Sequence, residues 1–182
     1  MPYEAPPQLA EMSLIDIARA LQERRLPPLE QWNPAEEIDS KMRIAADGTW
    51  FHEGSPISRP AMVRAFSSLL LRENNGRHVL LTPQCRQPIA VDDAAFLAVD
   101  MEAKDNALAF RLNTDDLVIA GPGNPLRATG DAETPAIYLG VRNGCEARVN
   151  RSTWLQLVEH SEMAKGIPSV SSMGQTFPLV PQ

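Results

Sequence analysis

The chain has 182 residues, 43% of them apolar, and 17 Lys and Arg against 23 Asp and Glu give a net charge of −6. That is enough apolar content for one large core or two small ones. The acidic balance speaks against a general nucleic-acid binder, which needs a basic face for phosphate, and against an electrostatic membrane-surface binder.

Other whole-chain features narrow the class further. The longest apolar runs fall far short of the ~20 residues of a membrane helix. Met1-Pro2-Tyr3-Glu4-Ala5-Pro6-Pro7 lacks the basic-then-apolar order of a secretory signal. Cys85 and Cys145 make neither a disulfide framework nor a metal pattern. The expectation is a soluble cytoplasmic protein. Lys41, Lys104 and Lys165 are the only lysines, so nearly all positive charge is arginine, whose planar fork suits phosphate and carboxylate. A GC-rich genome gives the same bias.

In chain order, residues 1–12 read as a proline-rich arm. Ser13 then caps a helix with Leu14, Ile17, Ala18 and Leu21 on one face, stopped by Pro27-Pro28. Gln31-Trp32-Asn33-Pro34 is a turn. Strands at Met42–Ala45 and Thr49–Glu53 are joined at Asp47-Gly48, a hairpin signal. A two-residue loop would put Phe51 opposite Ile44 in the core, and a three-residue loop would put Trp50 there. Tryptophan's high average burial favours the second. A helix capped by Ser58 follows, with Pro60 in its first turn. Met62, Val63, Phe66, Leu69 and Leu70 form its buried stripe, and Asn74-Asn75-Gly76 ends it.

The next segment is strand-rich. Strands are predicted at 79–82, 89–91, 96–101, 108–113, 117–120, 126–128, 136–141 and 145–149, separated by Asp-, Asn- and Gly-rich turns. At Arg142-Asn143-Gly144 only a three-residue loop pairs Val141 with Cys145, Leu139 with Ala147 and Ile137 with Val149, which keeps one face apolar. A helix over roughly 151–163 turns Trp154, Leu155 and Val158 inward. The tail 169–182 is aperiodic, either loose or an arm docked on this or a neighbouring subunit.

The segment 57–66 aligns with 149–158. Each has an apolar strand end, a capping residue, an arginine and the same apolar spacing, and each follows an Asx-Gly hairpin. A hairpin–helix unit used twice produces this pattern, as does any capped amphipathic helix. Arg59 and Arg151 stand at the first helical position, where a cation opposes the helix dipole. An anion bound at the free N–H groups would make that charge useful; an exposed surface pair is the plain alternative.

Trp32-x-Pro34, Ile44-x-x-Asp47-Gly48-Thr49-Trp50, Gly54-Ser55-Pro56-Ile57-x-Arg59, Phe66, Leu81-Thr82-Pro83, Ile89-x-Val91-x-Asp93-Ala94-x-Phe96, Thr114-Asp115-Asp116 and Tyr138-x-x-x-Arg142 resemble the bacterial DUF1285 family. The match spans roughly residues 32–160. The resemblance implies a duplicated core, a C-terminal half like a pleckstrin-homology barrel, and a nucleotide-like ligand held between the halves in signalling. Gln84-Cys85-Arg86 and Ala95 depart from the family pattern, which has an acid and a proline there.

The expected fold is therefore α+β: duplicated hairpin–helix units, with the C-terminal half a pleckstrin-homology-like antiparallel β barrel or sheet capped by a helix. The expected divisions are an N-terminal half (1–94), a C-terminal half (95–166) and a tail (167–182). No catalytic constellation or zinc spacing surrounds His52, His78 or His160, so no catalytic residue, cofactor or metal is expected. The leading function is non-enzymatic binding of a small anionic, nucleotide-like ligand. Arg59, Arg142 and Arg151 would meet its charge and Trp50 or Phe96 would stack on a base, with His52 and Asn113 completing the set. The alternative is a protein-interaction adaptor that docks a partner, or a second copy, through the C-terminal half and tail.

Overall fold

The computed structural model describes residues 26–182. The proline-rich arm and the helix expected from Ser13 lie outside the described residues. After a 3-10 turn at Leu29–Gln31, the chain lays down β1 (Glu36–Glu37), β2 (Met42–Ile44), β3 (Trp50–His52) and β4 (Ser55–Pro56). The helix α1 (Pro60–Ser67) precedes β5 (Leu70–Arg72), β6 (His78–Leu81) and β7 (Cys85–Val91). Then come β8 (Phe96–Lys104), β9 (Ala107–Leu112), β10 (Leu117–Ile119), β11 (Leu126–Gly130), β12 (Pro135–Gly140) and β13 (Glu146–Val149). Helix α2 (Arg151–Glu159) and strands β14 (Glu162–Ala164), β15 (Ile167–Ser172) and β16 (Gln175–Pro178) finish it.

The expected α+β fold, with its pleckstrin-homology-like barrel capped by a helix, is corrected: the protein is mostly strand, in three sheets. Two local causes account for this. The stripe that continues α1 to Leu70 on paper is broken after Ser67, and Leu70 instead pairs with Leu80 in a sheet. In the C-terminal half β13 runs parallel to β8, with Ala147 beside Phe96 and Val149 beside Ala98, so the sheet is mixed rather than an antiparallel barrel.

A duplication is present, in a different unit from the expected one. The first sheet has the order β4-β3-β2-β7-β6-β5, and β1 adds to β7; the second has the order β10-β9-β8-β13-β12-β11. Numbered within each half, both are 3-2-1-6-5-4, with strand 1 parallel to strand 6. Helix α1 falls between strands 3 and 4 of the first set, whereas α2 follows strand 6 of the second. The two helices are thus not counterparts. Their starts differ as well: Arg59 is the N-cap residue of α1, whereas Asn150 caps α2 and Arg151 is its first helical residue.

Both hairpins take the register that keeps an apolar face. Ile44 pairs with Trp50, and the two are 0% and 1% exposed. Leu139 pairs with Ala147, Val141 N donates to Cys145 O at 2.9 Å, and Ile137, Leu139, Val141, Cys145, Ala147 and Val149 are all buried. The turn glycines Gly48 (φ 85°) and Gly144 (φ 75°) adopt the left-handed backbone that favours glycine. Each also touches the other half. A Cβ on Gly48 would lie 2.9 Å from Leu97 Cδ1 and Asn113 Nδ2, and one on Gly144 would lie 2.8 Å from the Arg72 carbonyl.

Helix α2 buries Thr153 and Leu157, one turn apart, and half-buries Trp154. Leu155 and Val158, expected inward, are 49% and 40% exposed. The helix ends at His160, and the chain then forms β14, β15 and β16, so the tail is docked on its own chain. Ser172 Oγ accepts from Leu108 N at 2.8 Å and donates to Ala120 O at 2.7 Å. Val170, Phe177 and Leu179 join a single buried cluster that also holds Ile44, Trp50 and Leu139, so one core serves all three sheets.

Candidate functional site

In β11, β12 and β13 the side chains alternate between the two faces of the sheet. Leu126, Ile137, Leu139, Ala147 and Val149 enter the core. Arg127, Thr129, Tyr138, Glu146 and Arg148 therefore share the other face. The register sets Arg127 beside Tyr138 and Tyr138 beside Arg148. The tyrosine ring lies between two guanidiniums, 4.7 Å from that of Arg127 and 5.3 Å from that of Arg148.

The N-terminal half closes over this face. Strand β5 ends at Arg72 and β6 begins at His78, its cross-strand partner. With Asp93, Ala94 and Ala95 of the connection between halves, they complete a cleft of about 240 Å³ lined also by Arg127, Thr129, Tyr138 and Glu146. Arg72 N donates to Asn143 O at 2.9 Å, fixing this edge.

Every charge in the cleft is held by another. Glu146 takes Arg127 in a two-pronged bond, Nε at 3.1 Å and Nη2 at 3.0 Å, and takes Arg72 Nη1 at 3.2 Å. Tyr138 donates its hydroxyl to Asp93 at 2.5 Å, and Arg148 Nη1 reaches both Asp93 Oδ2 and the Tyr138 oxygen at 3.2 Å. Burial, then the Asp93 bond, pushes the Tyr138 phenol above its ordinary value. His78 is half-buried, and its burial, with Arg72 second, lowers its pKa. Arg72 and Arg127 balance Asp93 and Glu146 in the lining, and Arg148, just outside it, shares the Asp93 charge. Arg72 Nε and Nη2 and Arg127 Nη1 have no hydrogen-bond partner among the described residues. These donors make the site suited to a small anion.

None of the seven residues singled out from sequence lines this cleft. Trp50, 1% exposed, stacks on Phe66 with centroids 6.4 Å apart. Phe96 is buried under Arg142, whose guanidinium is 5.0 Å from the ring and also meets Asp116 at 3.4 Å. Asn113 Oδ1 accepts from Leu97 N at 3.0 Å. Phe96 and Arg142 thus meet within the C-terminal half, and Asn113 lies beside the Gly48 turn of the other half. Arg59, His52 and Arg151 are exposed, and among the described residues neither Arg59 nor Arg151 meets a carboxylate within ion-pair distance. The cleft residues were within reach: the register chosen for the Asn143-Gly144 hairpin places Tyr138 opposite Arg148 on the outer face. Among the described residues no three His, Cys, Asp or Glu side chains gather as metal ligands. No described helix is long and apolar enough to cross a membrane.

Fold and cleft together define a duplicated, strand-dominated protein with an arginine-lined groove between its repeats. The family model described as the N-terminal domain of unknown function DUF1285 matches residues 27–94, and that of the DUF1285 C-terminal domain matches 95–179. The chain belongs to the DUF1285 family. A DUF1285 family protein from Silicibacter pomeroyi DSS-3 is 43% identical over 93% of this chain and 95% of its own, with a TM-score of 0.80. One from Shewanella baltica OS155 shares the fold at 21% identity and a TM-score of 0.54, covering 65% of this chain and 90% of its own. No curated protein matches the chain.

Proposed function

We propose that the protein binds a small anionic, nucleotide-like ligand in the cleft between its halves and acts by sensing it rather than by transforming it. The observation that carries this reading is the pair Arg72 and Arg127, one from each half, held side by side by Glu146 at 3.2 and 3.0 Å with unused donors. A carboxylate that spans two guanidiniums orients them before the ligand arrives, which lowers the ordering cost of binding. The cavity is smaller than the roughly 300–1,000 Å³ of drug-sized sites. It suits a phosphate or carboxylate group with part of the molecule that bears it.

A thermal-shift series with inorganic phosphate and nucleoside mono- and diphosphates tests the reading. A ligand at 100 times its Kd should add about 2.7 kcal/mol of stability. Arg72→Ala should cut the shift to about half or less, since a charge-assisted bond contributes roughly 1.5–3 kcal/mol. A second reading, an adaptor, draws on Leu155, Val158 and Met163, which are 49%, 40% and 67% exposed. It predicts no shift with any anion.

A further inference from the structure

We propose that an anion entering the cleft draws a proton onto His78, so that anion binding and proton uptake are coupled and the site holds dianions more tightly as the pH falls. The inference rests on the anion-binding reading above and concerns how that site is regulated. Its basis is placement. His78 stands at the start of β6, directly across from Arg72, and lines the same cavity as that arginine.

The groups around the imidazole are these. Arg72 is its neighbour on β5, and Glu146 acts on it from β13. Arg127 of β11, Tyr138 of β12 and Asp93 of the connection share the cavity, and the β7 residue paired with His78 is the apolar Ile89. With the cleft empty, burial and Arg72 both disfavour an imidazolium, and Glu146 favours it. Glu146 is already committed to Arg72 and Arg127, so its charge is largely spent. A dianion between the two arginines reverses that balance, because it adds negative charge beside a half-buried ring. The protonated ring then supplies a further N–H donor. Thermodynamic linkage makes the coupling reciprocal: whatever lifts the imidazole on binding must tighten the anion on protonation.

Sulfate is the probe, because it stays dianionic across the range in which histidine titrates. Calorimetric titration of the full chain with sodium sulfate from pH 8.0 to 5.5, at constant ionic strength, reads the affinity. The NMR signals of His52, His78 and His160 read the proton. The expected result is an affinity that rises about tenfold for each unit by which saturating sulfate lifts the His78 titration, with the other two signals unmoved. His78→Gln should remove the gain at low pH. If sulfate binds equally at every pH and the His78 titration does not move, the coupling is overturned and the anion site stands. If sulfate binds at no pH and Arg72→Ala changes nothing, the anion-binding reading fails and this inference falls with it.

Discussion

Replacing Gly144 by alanine isolates the contact that joins the two repeats. The backbone there is left-handed, with φ 75°, which costs an L-residue about 1 kcal/mol. The new Cβ would also lie 2.8 Å from the Arg72 carbonyl and 3.3 Å from Arg72 Cβ. A backbone carbonyl cannot swing aside as a side chain can. The turn must therefore lift from β5, weakening the 2.9 Å bond from Arg72 N to Asn143 O, at a further cost of about 1–1.5 kcal/mol. The sum is about 2–2.5 kcal/mol, or roughly 4–10 °C in melting temperature for a chain of this size. Gly54→Ala is the matched control: φ there is 83° and no atom lies within 4 Å of the added Cβ. It should lose only about 1 kcal/mol. Urea and thermal unfolding of both variants measure the difference. Equal losses would refute the claim that the Gly144 turn is pressed against the other half.

Arg59→Ala should change stability by less than about 0.5 kcal/mol and leave phosphate affinity untouched, because the side chain is exposed and is not part of the cleft lining; a lost thermal shift with phosphate would contradict this. His78 makes stability depend on pH with a definite sign. Its folded pKa lies below the ordinary value of 6.5, so as pH falls through 6.5 the unfolded chain takes up the proton first and stability drops, levelling off below the folded pKa. Urea midpoints of the wild type minus those of His78→Asn, taken from pH 7.5 to 5.5, should decline across that window. Burial pushes the Cys145 thiol up to about 12, so at pH 8 a thiol reagent should label it only after unfolding. Labelling of the native chain at Cys145 would contradict the packing of the β12–β13 hairpin.

Much of the sheet pattern was legible. Alternation in Ile137, Leu139 and Val141, which only a three-residue loop sets against Val149, Ala147 and Cys145, identified both the register and the left-handed Gly144. At the Asp47-Gly48 hairpin two loop lengths fit the pattern, and the high average burial of tryptophan was what put Trp50 opposite Ile44. The helix expected to run through Leu70 was not found, because Leu69 and Leu70 satisfy a helical stripe and a buried strand equally well. Only the partner Leu80, ten residues on, settles the competition. Aligning the two arginine-bearing helix starts picked out a capping pattern rather than the repeat. The true repeat is an order of strands, 3-2-1-6-5-4, and a parallel pairing such as β13 with β8 joins residues about fifty apart that carry no local signal. The cleft was hidden for a related reason. Arg72 and His78 come from one half and Arg127, Tyr138 and Glu146 from the other, so no short motif contains the site. The outer face of the β12–β13 hairpin carries Tyr138 opposite Arg148, a pair that the hairpin register alone places together.

The central claim is that an anion sits between the repeats. Backbone amide spectra of the isotope-labelled chain, recorded through a phosphate titration at constant ionic strength, test it directly. The account predicts saturable shifts at Arg72, His78, Asp93 to Ala95, Arg127, Thr129, Tyr138 and Glu146, with none at the helix starts around Arg59 and Arg151. Saturable shifts confined to those helix starts, or no saturable shift anywhere, would contradict it.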